Sequence, residues 1–367
     1  MSNSPQPRLL IAASGTGGHV FPAVAIAEQL TDYHIEWLGV PDRMEVQLIG
    51  DKYPLHTVNV AGFQGKPGIG TVKTIWRLLI SIQTVRKLLK RGKFQGVFTT
   101  GGYISAPAII AAKSLGIPVV LHESNALPGK VTRFFAPWCS VVALGFAVAA
   151  KSLKAKTIVT GTPVRSQFLT NPGPLEGLDI PEGVPLIVMV GGSQGAVALS
   201  QIVRQAAPKW FEQGIWLVHQ TGESDPNANS LSHPQYRSVP FYSHMAALFA
   251  RADLVISRSG AGTLTELAMT HTPSILVPYP YAAEDHQAHN AKEFVKVGAA
   301  EMFRQAQLLP ETLETIILEL LSTQPDSIAR KEAMRSAAES LAVPDSAQQV
   351  ANLLDRKSTR LNSSHVD

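Results

Sequence analysis

His19 stands directly on the turn Gly15-Thr16-Gly17-Gly18, between an apolar run at 8–13 and a stretch at 22–30 with helical spacing. Glycines between a strand and a helix let backbone N–H groups approach a ligand closely, and the helix N-terminus adds about half a positive charge. A histidine there, with an ordinary pKa of ~6.5, suits a general base; the same residue also serves as a helix cap or a packing side chain. The G-x-G-x-x-G spacing of a dinucleotide turn is broken, because its third place falls on Val20. Glu36 lies near the end of the second apolar run, where a ribose-binding acid would sit, and this keeps the dinucleotide reading open.

Three later stretches carry the same kind of chemistry. Gly191-Gly192-Ser193-Gln194-Gly195-Ala196 could hold a phosphate on its amides and the Ser193 hydroxyl, or form a plain tight turn; it lacks the G-K-[ST] of a Walker A loop. Arg258-Ser259-Gly260-Ala261-Gly262-Thr263-Leu264-Thr265-Glu266 again sets amides and hydroxyls at a helix start. Glu266, one turn in, can accept two hydrogen bonds from a ribose diol, or simply favour the helix dipole. Asp285, His286, Gln287 and Asn290 form a polar cluster after the run at 274–277. His286 and His289 invite a metal, but no further ligand cluster or Asp-x-Asp pair joins them, so neither a metal nor another cofactor is expected.

The elements that must position these groups alternate strand and helix throughout. Short runs rich in β-branched residues at 8–13, 34–39, 96–100, 118–123, 141–144 and 157–160 read as buried parallel strands. The pattern restarts at 185–190 and continues through 215–220, 238–239, 254–256 and 274–277. The expected fold is α/β, with two Rossmann-like doubly wound domains facing a cleft and ligands at the carboxyl ends of the strands. The expected division is 1–163 for an N-terminal domain, 164–340 for a C-terminal domain and 341–355 for a C-terminal helix that could return to the first domain. The tail at 356–367 has no apolar period and reads as non-native.

The chain of 367 residues, 45% hydrophobic and 16% charged, can bury a large core. Its one cysteine, Cys139, excludes an internal disulfide and fits a reducing compartment. No run reaches the ~18 apolar residues that span a bilayer, and no export signal is visible. Residues 1–164 hold 17 Lys and Arg against 7 Asp and Glu, while the remainder hold 15 against 21. The first half should therefore meet something anionic. The segment 72–93 concentrates this charge, with Arg86, Lys87 and Lys90 among its seven bases and no acid. Ile75, Leu79 and Ile82 lie along one side with Trp76 beside them, and Ile80 belongs to the same apolar patch. An ordinary core-facing helix explains that stripe alone; the charge favours an anionic membrane surface. Nucleic acid is not expected, since no aromatic-interleaved basic face or known motif occurs.

Taken in order, GTGGHVFP (15–22), GFQGK (62–66), TTGGYISAP (99–107), HESNALPGKVTR (122–133), GTPVR (161–165), GGSQGA (191–196), SRSGAGTLTEL (257–267) and DHQAHNA (285–291) resemble one family closely. It is the MurG family of UDP-N-acetylglucosamine:undecaprenyl-pyrophosphoryl-muramoyl-pentapeptide N-acetylglucosaminyltransferases of peptidoglycan synthesis. The resemblance implies the glycosyltransferase B fold and metal-independent transfer of N-acetylglucosamine, with inversion, from UDP-N-acetylglucosamine to lipid I, forming lipid II. It makes His19 the candidate base. It brings Thr16, Gly17, Gly18, Asn125, Arg165, Ser193, Tyr242, Arg258, Gly262, Thr263, Glu266 and Gln287 to the donor, with Tyr242 in a loop whose backbone reads uracil. Tyr103 and Glu123 fall on the acceptor side. The family commonly has two glutamines where this chain has His286-Gln287. A place on the cytoplasmic face of the cell membrane and cell-wall synthesis proteins as partners are also compatible with it, as is a related UDP-sugar transferase acting on another lipid acceptor.

Overall fold

The structure, a computed structural model, describes residues 6–60, 69–191 and 196–362, with backbone alone at 69–73 and 356–362. The chain divides into two compact units, one of 1–165 and 345–367, the other of 166–344.

In the first unit the chain runs β1 (Arg8–Ala12), α1 (Gly17–Ala27), β2 (His34–Gly39), α2 (Met44–Ile49), β3 (Leu55–Thr57), α3 (Ile69–Gly92), β4 (Gly96–Thr99), α4 (Ser105–Ser114), β5 (Val119–Glu123), α5 (Lys130–Phe135), β6 (Val141–Leu144) and β7 (Thr157–Val159). All pairings are parallel, in the order β3-β2-β1-β4-β5-β6-β7. The central strands are buried on both faces, which is why they read as unbroken apolar runs rather than alternating ones. Leu10, Val97, Leu121 and Val142 pack on one face with α3 and α4; Ile11, Phe98, Val120 and Ala143 pack on the other with α1.

The second unit repeats the plan: β8 (Leu186–Val190), α6 (Val197–Glu212), β9 (Trp216–Gln220), β10 (Tyr236–Val239), α7 (Met245–Arg251), β11 (Leu254–Ser257), α8 (Ala261–Met269), β12 (Ser274–Leu276), α9 (His286–Val297), β13 (Ala300–Met302), α10 (Pro310–Leu320) and α11 (Pro325–Glu339). Its parallel sheet has the order β10-β9-β8-β11-β12-β13. In each unit the strand order reverses beside the first strand, between β1 and β4 and between β8 and β11. Two neighbouring connections leave in opposite directions there, opening a crevice at the strands' carboxyl ends.

Helix α12 (Ser346–Asn362) belongs to the first unit, and its backbone runs on into the segment from Arg356 that the sequence sets apart. Val350, Ala351 and Leu354 are buried in the cluster containing Ile11, Ile26 and Phe98, and Tyr33 Oη donates to Asp355 at 2.7 Å. Truncating such a side chain removes its transfer energy and leaves a cavity. Leu354→Ala should therefore cost the first unit about 2–4 kcal/mol. The check is a lowered urea midpoint for that unit's transition with the second unit's unmoved; an unmoved first transition would mean that the helix adds nothing to this core.

Candidate active site

The crevice of the first unit is built from the turns after β1, β4 and β5. Gly15 has φ +108°, a conformation that a side chain rarely tolerates. Its N–H donates to Glu45 Oε2 at 3.2 Å, while Glu45 Oε1 accepts from Val40 N at 2.9 Å. Glu45 is fully buried and ties the first turn to the end of β2. Sequence reasoning missed it; an acid opening a short helix carries no signal until the turn it serves is known. Thr16 caps α1 without a side-chain hydrogen bond, so the amides of Gly17 and Gly18 remain directed out of the helix start. Pro22 has no N–H for the Gly18 carbonyl, which exposes an acceptor beside those donors.

His19 is half-buried, and its Nδ1 lies 2.7 Å from the Thr100 carbonyl at the end of β4. A carbonyl only accepts, so Nδ1 carries the proton and Nε2 presents its lone pair. Gly101 (φ +90°) and Gly102 (φ +74°) pass along the ring. A Cβ on either would stand 3.6–3.7 Å from ring atoms, Nε2 included. This contact fixes the orientation of the His19 ring.

Glu123, expected on the acceptor side, is bonded within its own loop. It is buried, with Oε1 accepting from Asn125 N and Asn125 Nδ2, both at 3.0 Å, and Oε2 accepting from Gly129 N at 3.1 Å. Its carboxylate folds the loop leading into α5 and sets the Asn125 amide. His122, fully buried, has its pKa lowered by burial; its neutral ring donates Nε2–H to the Gly161 carbonyl at 3.0 Å. Tyr103 is half exposed beside Gly102. The Arg165 guanidinium lies over the Phe21 ring, 4.9 Å from its centroid, at the end of the first unit. Glu36, the acid that kept the dinucleotide reading open, bonds Arg8 and His56. Burial pushes its pKa up, but those hydrogen bonds outweigh burial and hold it below the ordinary carboxylate value.

In the second unit, Gly260 caps α8, and Ala261, Gly262 and Thr263 form its first turn. A Cβ on Gly260 or Gly262 would meet nothing within 4 Å, so a ligand can approach this helix start closely. Glu266 is half-buried farther along the helix. Arg258, which the resemblance brings to the donor, is tied to the ends of two strands. It is buried; Nη1 donates to the Val277 and Pro278 carbonyls at 3.1 and 3.3 Å, and Nη2 to Gln305 Oε1 at 2.6 Å. Burial lowers its pKa to about 10. Arg258 is thus a strut between the ends of β11 and β12. Gln287 Oε1 accepts from Tyr279 N at 2.9 Å, and its carbonyl accepts from Ser259 Oγ at 2.8 Å, which joins the two loops. Glu284 and Asp285 are both left-handed (φ +52° and +55°), and Arg304 grips Asp285 through two bonds of 2.8 and 2.6 Å. Hydrogen bonding to Arg304 holds that carboxyl below its ordinary pKa. Tyr242 donates its amide to Gln220 Oε1 at 3.3 Å and its hydroxyl to the Glu176 carbonyl at 3.0 Å, so its ring pins the loop before β8. Ser193 and the GFQGK motif lie outside the described residues. Among the described residues no three His, Cys, Asp or Glu side chains converge as a metal site.

Helix α3 turns Val85 and Leu89 inward, with Leu78 and Ile82 half-buried, so Ile82 does not share the exposure of Ile75 and Leu79, with which spacing aligns it. Ile75, Trp76 (65% exposed), Leu79 and Ile80 face outward together with Arg77, Arg86, Lys87 and Lys90. Phe134 and Trp138, which sequence reasoning passed over, are also exposed and edge-pack on Phe135. No helix among the described residues is long and apolar enough to cross a membrane.

Each of the two units is a parallel, doubly wound α/β sheet with a glycine turn beside its reversal point, and two such units make up the glycosyltransferase B fold. Residues 9–144 match the glycosyltransferase family 28 N-terminal domain, and 186–350 match the family 28 C-terminal domain. A Trichodesmium erythraeum protein named UDP-N-acetylglucosamine--N-acetylmuramyl-(pentapeptide) pyrophosphoryl-undecaprenol N-acetylglucosamine transferase is 62% identical, over 96% of this chain and 93% of its own. A Trichormus variabilis protein of the same name is 60% identical, over 96% and 98%. The crystal structure of Acinetobacter baumannii MurG superposes with a TM-score of 0.78 at 30% identity, over 96% of this chain and 100% of its own. The chain belongs to the MurG family.

Replacing Glu123 by Gln sets an NH2 group against donors that need an acceptor, which costs about 1–3 kcal/mol. Glu123→Gln should speed hydrogen exchange at the Asn125 and Gly129 amides and lower the thermal midpoint. Unchanged exchange at both amides would show that the carboxylate does not hold this loop.

Proposed function

We propose that this chain transfers N-acetylglucosamine from UDP-N-acetylglucosamine to the C4 hydroxyl of the muramoyl sugar of lipid I, forming lipid II. The hydrogen bond from His19 Nδ1 to Thr100 supports the chemistry, because it leaves Nε2 as the acceptor. The activity for which relatives at 60–62% identity are named supports the choice of substrates. Nε2 takes the C4 hydroxyl proton as the oxygen attacks the anomeric carbon. The bond from that carbon to the β-phosphate oxygen breaks, UDP leaves with the electron pair, and the configuration inverts. Negative charge grows on the leaving diphosphate. Amides at the start of α8, with Gly262 and Thr263, and the Arg165 guanidinium stabilise it by fixed charge, so no metal is required. Glu266 holds the ribose diol, Gln287 the sugar hydroxyls, and Ser193 and Asn125 further donor oxygens. Thr16, Gly17 and Gly18 present their turn to phosphate oxygens, and Tyr103 stands on the acceptor side.

Transfer of label from UDP-N-acetylglucosamine to a short-chain lipid I analogue, with EDTA present, tests this. Product should form, and His19→Ala should lower turnover about 10²–10⁴-fold. A loss of only a few-fold would assign the base elsewhere, and abolition by EDTA would end the metal-free scheme. Product with another lipid acceptor and none with lipid I would move the chain to a different transferase.

The outer face of α3 docks the protein on the anionic cytoplasmic face of the cell membrane. Its apolar row inserts and its bases contribute about 1 kcal/mol each near an anionic leaflet. Trp76→Ser with Leu79→Ser should cut sedimentation with phosphatidylglycerol-containing vesicles at least tenfold while transfer to a soluble acceptor analogue persists. Undiminished sedimentation would remove this face from the membrane.

A further inference from the structure

Helix α3 has 24 residues, about 36 Å at 1.5 Å each, whereas the edge strand β3 beneath it has three, about 10 Å. The sheet therefore ends before it fills the flank of the helix. A cavity of about 530 Å³ opens there, within the size range of small-molecule sites. Thr84, Lys87, Leu88 and Arg91 share one helix face and line it, opposite Leu55 and Val58. Among the described residues no acid lines the cavity, and neither Lys87 nor Arg91 has an acidic partner. Glu36, behind His56, is already bonded to Arg8 and His56. A cation in the last helical turn complements the dipole, which accounts for Arg91 but not for Lys87 one turn earlier or for the cavity between them. The exposed row Trp76 and Ile80 leads at four-residue steps to Thr84 at the cavity's lip.

We propose that this cavity holds one anionic glycerolipid headgroup, its phosphodiester between Lys87 and Arg91 and the first methylenes of its chains against Leu55, Val58 and Leu88. The proposal rests on the membrane face assigned to α3 and adds a stoichiometric lipid site to it. Two cations from one helix at i and i+4 grip a phosphodiester better than they grip a diffuse anionic surface, and the apolar wall excludes water from the chain end.

Calorimetry of the full chain with dihexanoyl phosphatidylglycerol, below its micelle concentration, tests this. One equivalent should bind, while dihexanoyl phosphatidylcholine and inorganic phosphate should not. Lys87→Glu with Arg91→Glu should weaken binding tenfold or more. Thr84→Trp, which obstructs the cavity's lip without changing charge, should do the same. Arg77→Glu with Lys90→Glu, an equal charge change on the same helix outside the cavity, should weaken it less than threefold. Circular dichroism checks that each variant is folded. Absence of saturable binding, or equal losses in the two double charge variants, overturns the site; if vesicle sedimentation persists, diffuse attraction is left and the membrane reading stands. Binding of glycerol 3-phosphate as tight as that of the lipid overturns the lipid assignment in favour of a soluble phosphate ester. Binding of the soluble lipid by a chain that ignores phosphatidylglycerol vesicles upholds the cavity and ends the membrane reading.

Discussion

A single hydrogen bond, from His19 Nδ1 to the Thr100 carbonyl, depends on most of the first unit and gives it a chemical direction. It exists because β1 and β4 are neighbours although some eighty residues separate them, with Ala12 paired to Thr99. Thr99 Oγ1 donates to the Ala12 carbonyl at 2.7 Å and meets Ser105 Oγ at 2.5 Å, so the two strand ends are held in register immediately below the histidine. Beyond them the chain turns through Gly101 and Gly102, at positive φ values that side chains rarely adopt. Moving either strand by one residue would place a different carbonyl opposite Nδ1 and direct the side chains of that strand to the other face.

The second unit builds rigidity at its corresponding place by different means. Arg258 joins the ends of β11 and β12 from inside, and Asn290 and Ser259 knit the turn before α8 to α9. Two successive left-handed residues without glycine are unfavourable in isolation. They persist at Glu284 and Asp285, where the doubly bonded Arg304 holds the backbone and fixes where α9 begins, and with it the position of Gln287.

The sequence revealed the elements through composition. Strands buried on both faces must be apolar at every position, so β1, β5 and β8 were visible as runs, and glycine punctuation marked the turns that follow them. Spacing also put His19 on a helix start. Side-chain direction was not visible, because it depends on residues distant in the chain. Arg258 comes to the donor only through the resemblance, and its bonds to the carbonyls of residues 277 and 278, which make it a strut, have no signal in the sequence. Glu123 falls on the acceptor side by resemblance, and its bonds within its own loop were not visible. Ile82 turns toward the core while Ile75 and Leu79, aligned with it by spacing, stay exposed, because the helical phase at α3 is set by the packing of Val85 and Leu89, which a stripe counted from Ile75 does not reveal.

The return of α12 to the first unit has a consequence for how the chain is made. Val350, Ala351 and Leu354 complete a core whose other members, among them Leu9, Ile11 and Phe98, leave the ribosome hundreds of residues earlier. Domains ordinarily fold as units during synthesis, the N-terminal one first. Here the earlier unit must wait, with an apolar face uncovered, while the whole of the later one is translated. Its final closure awaits the emergence of α12, and a translation product interrupted before α12 would expose the groove in which that helix belongs.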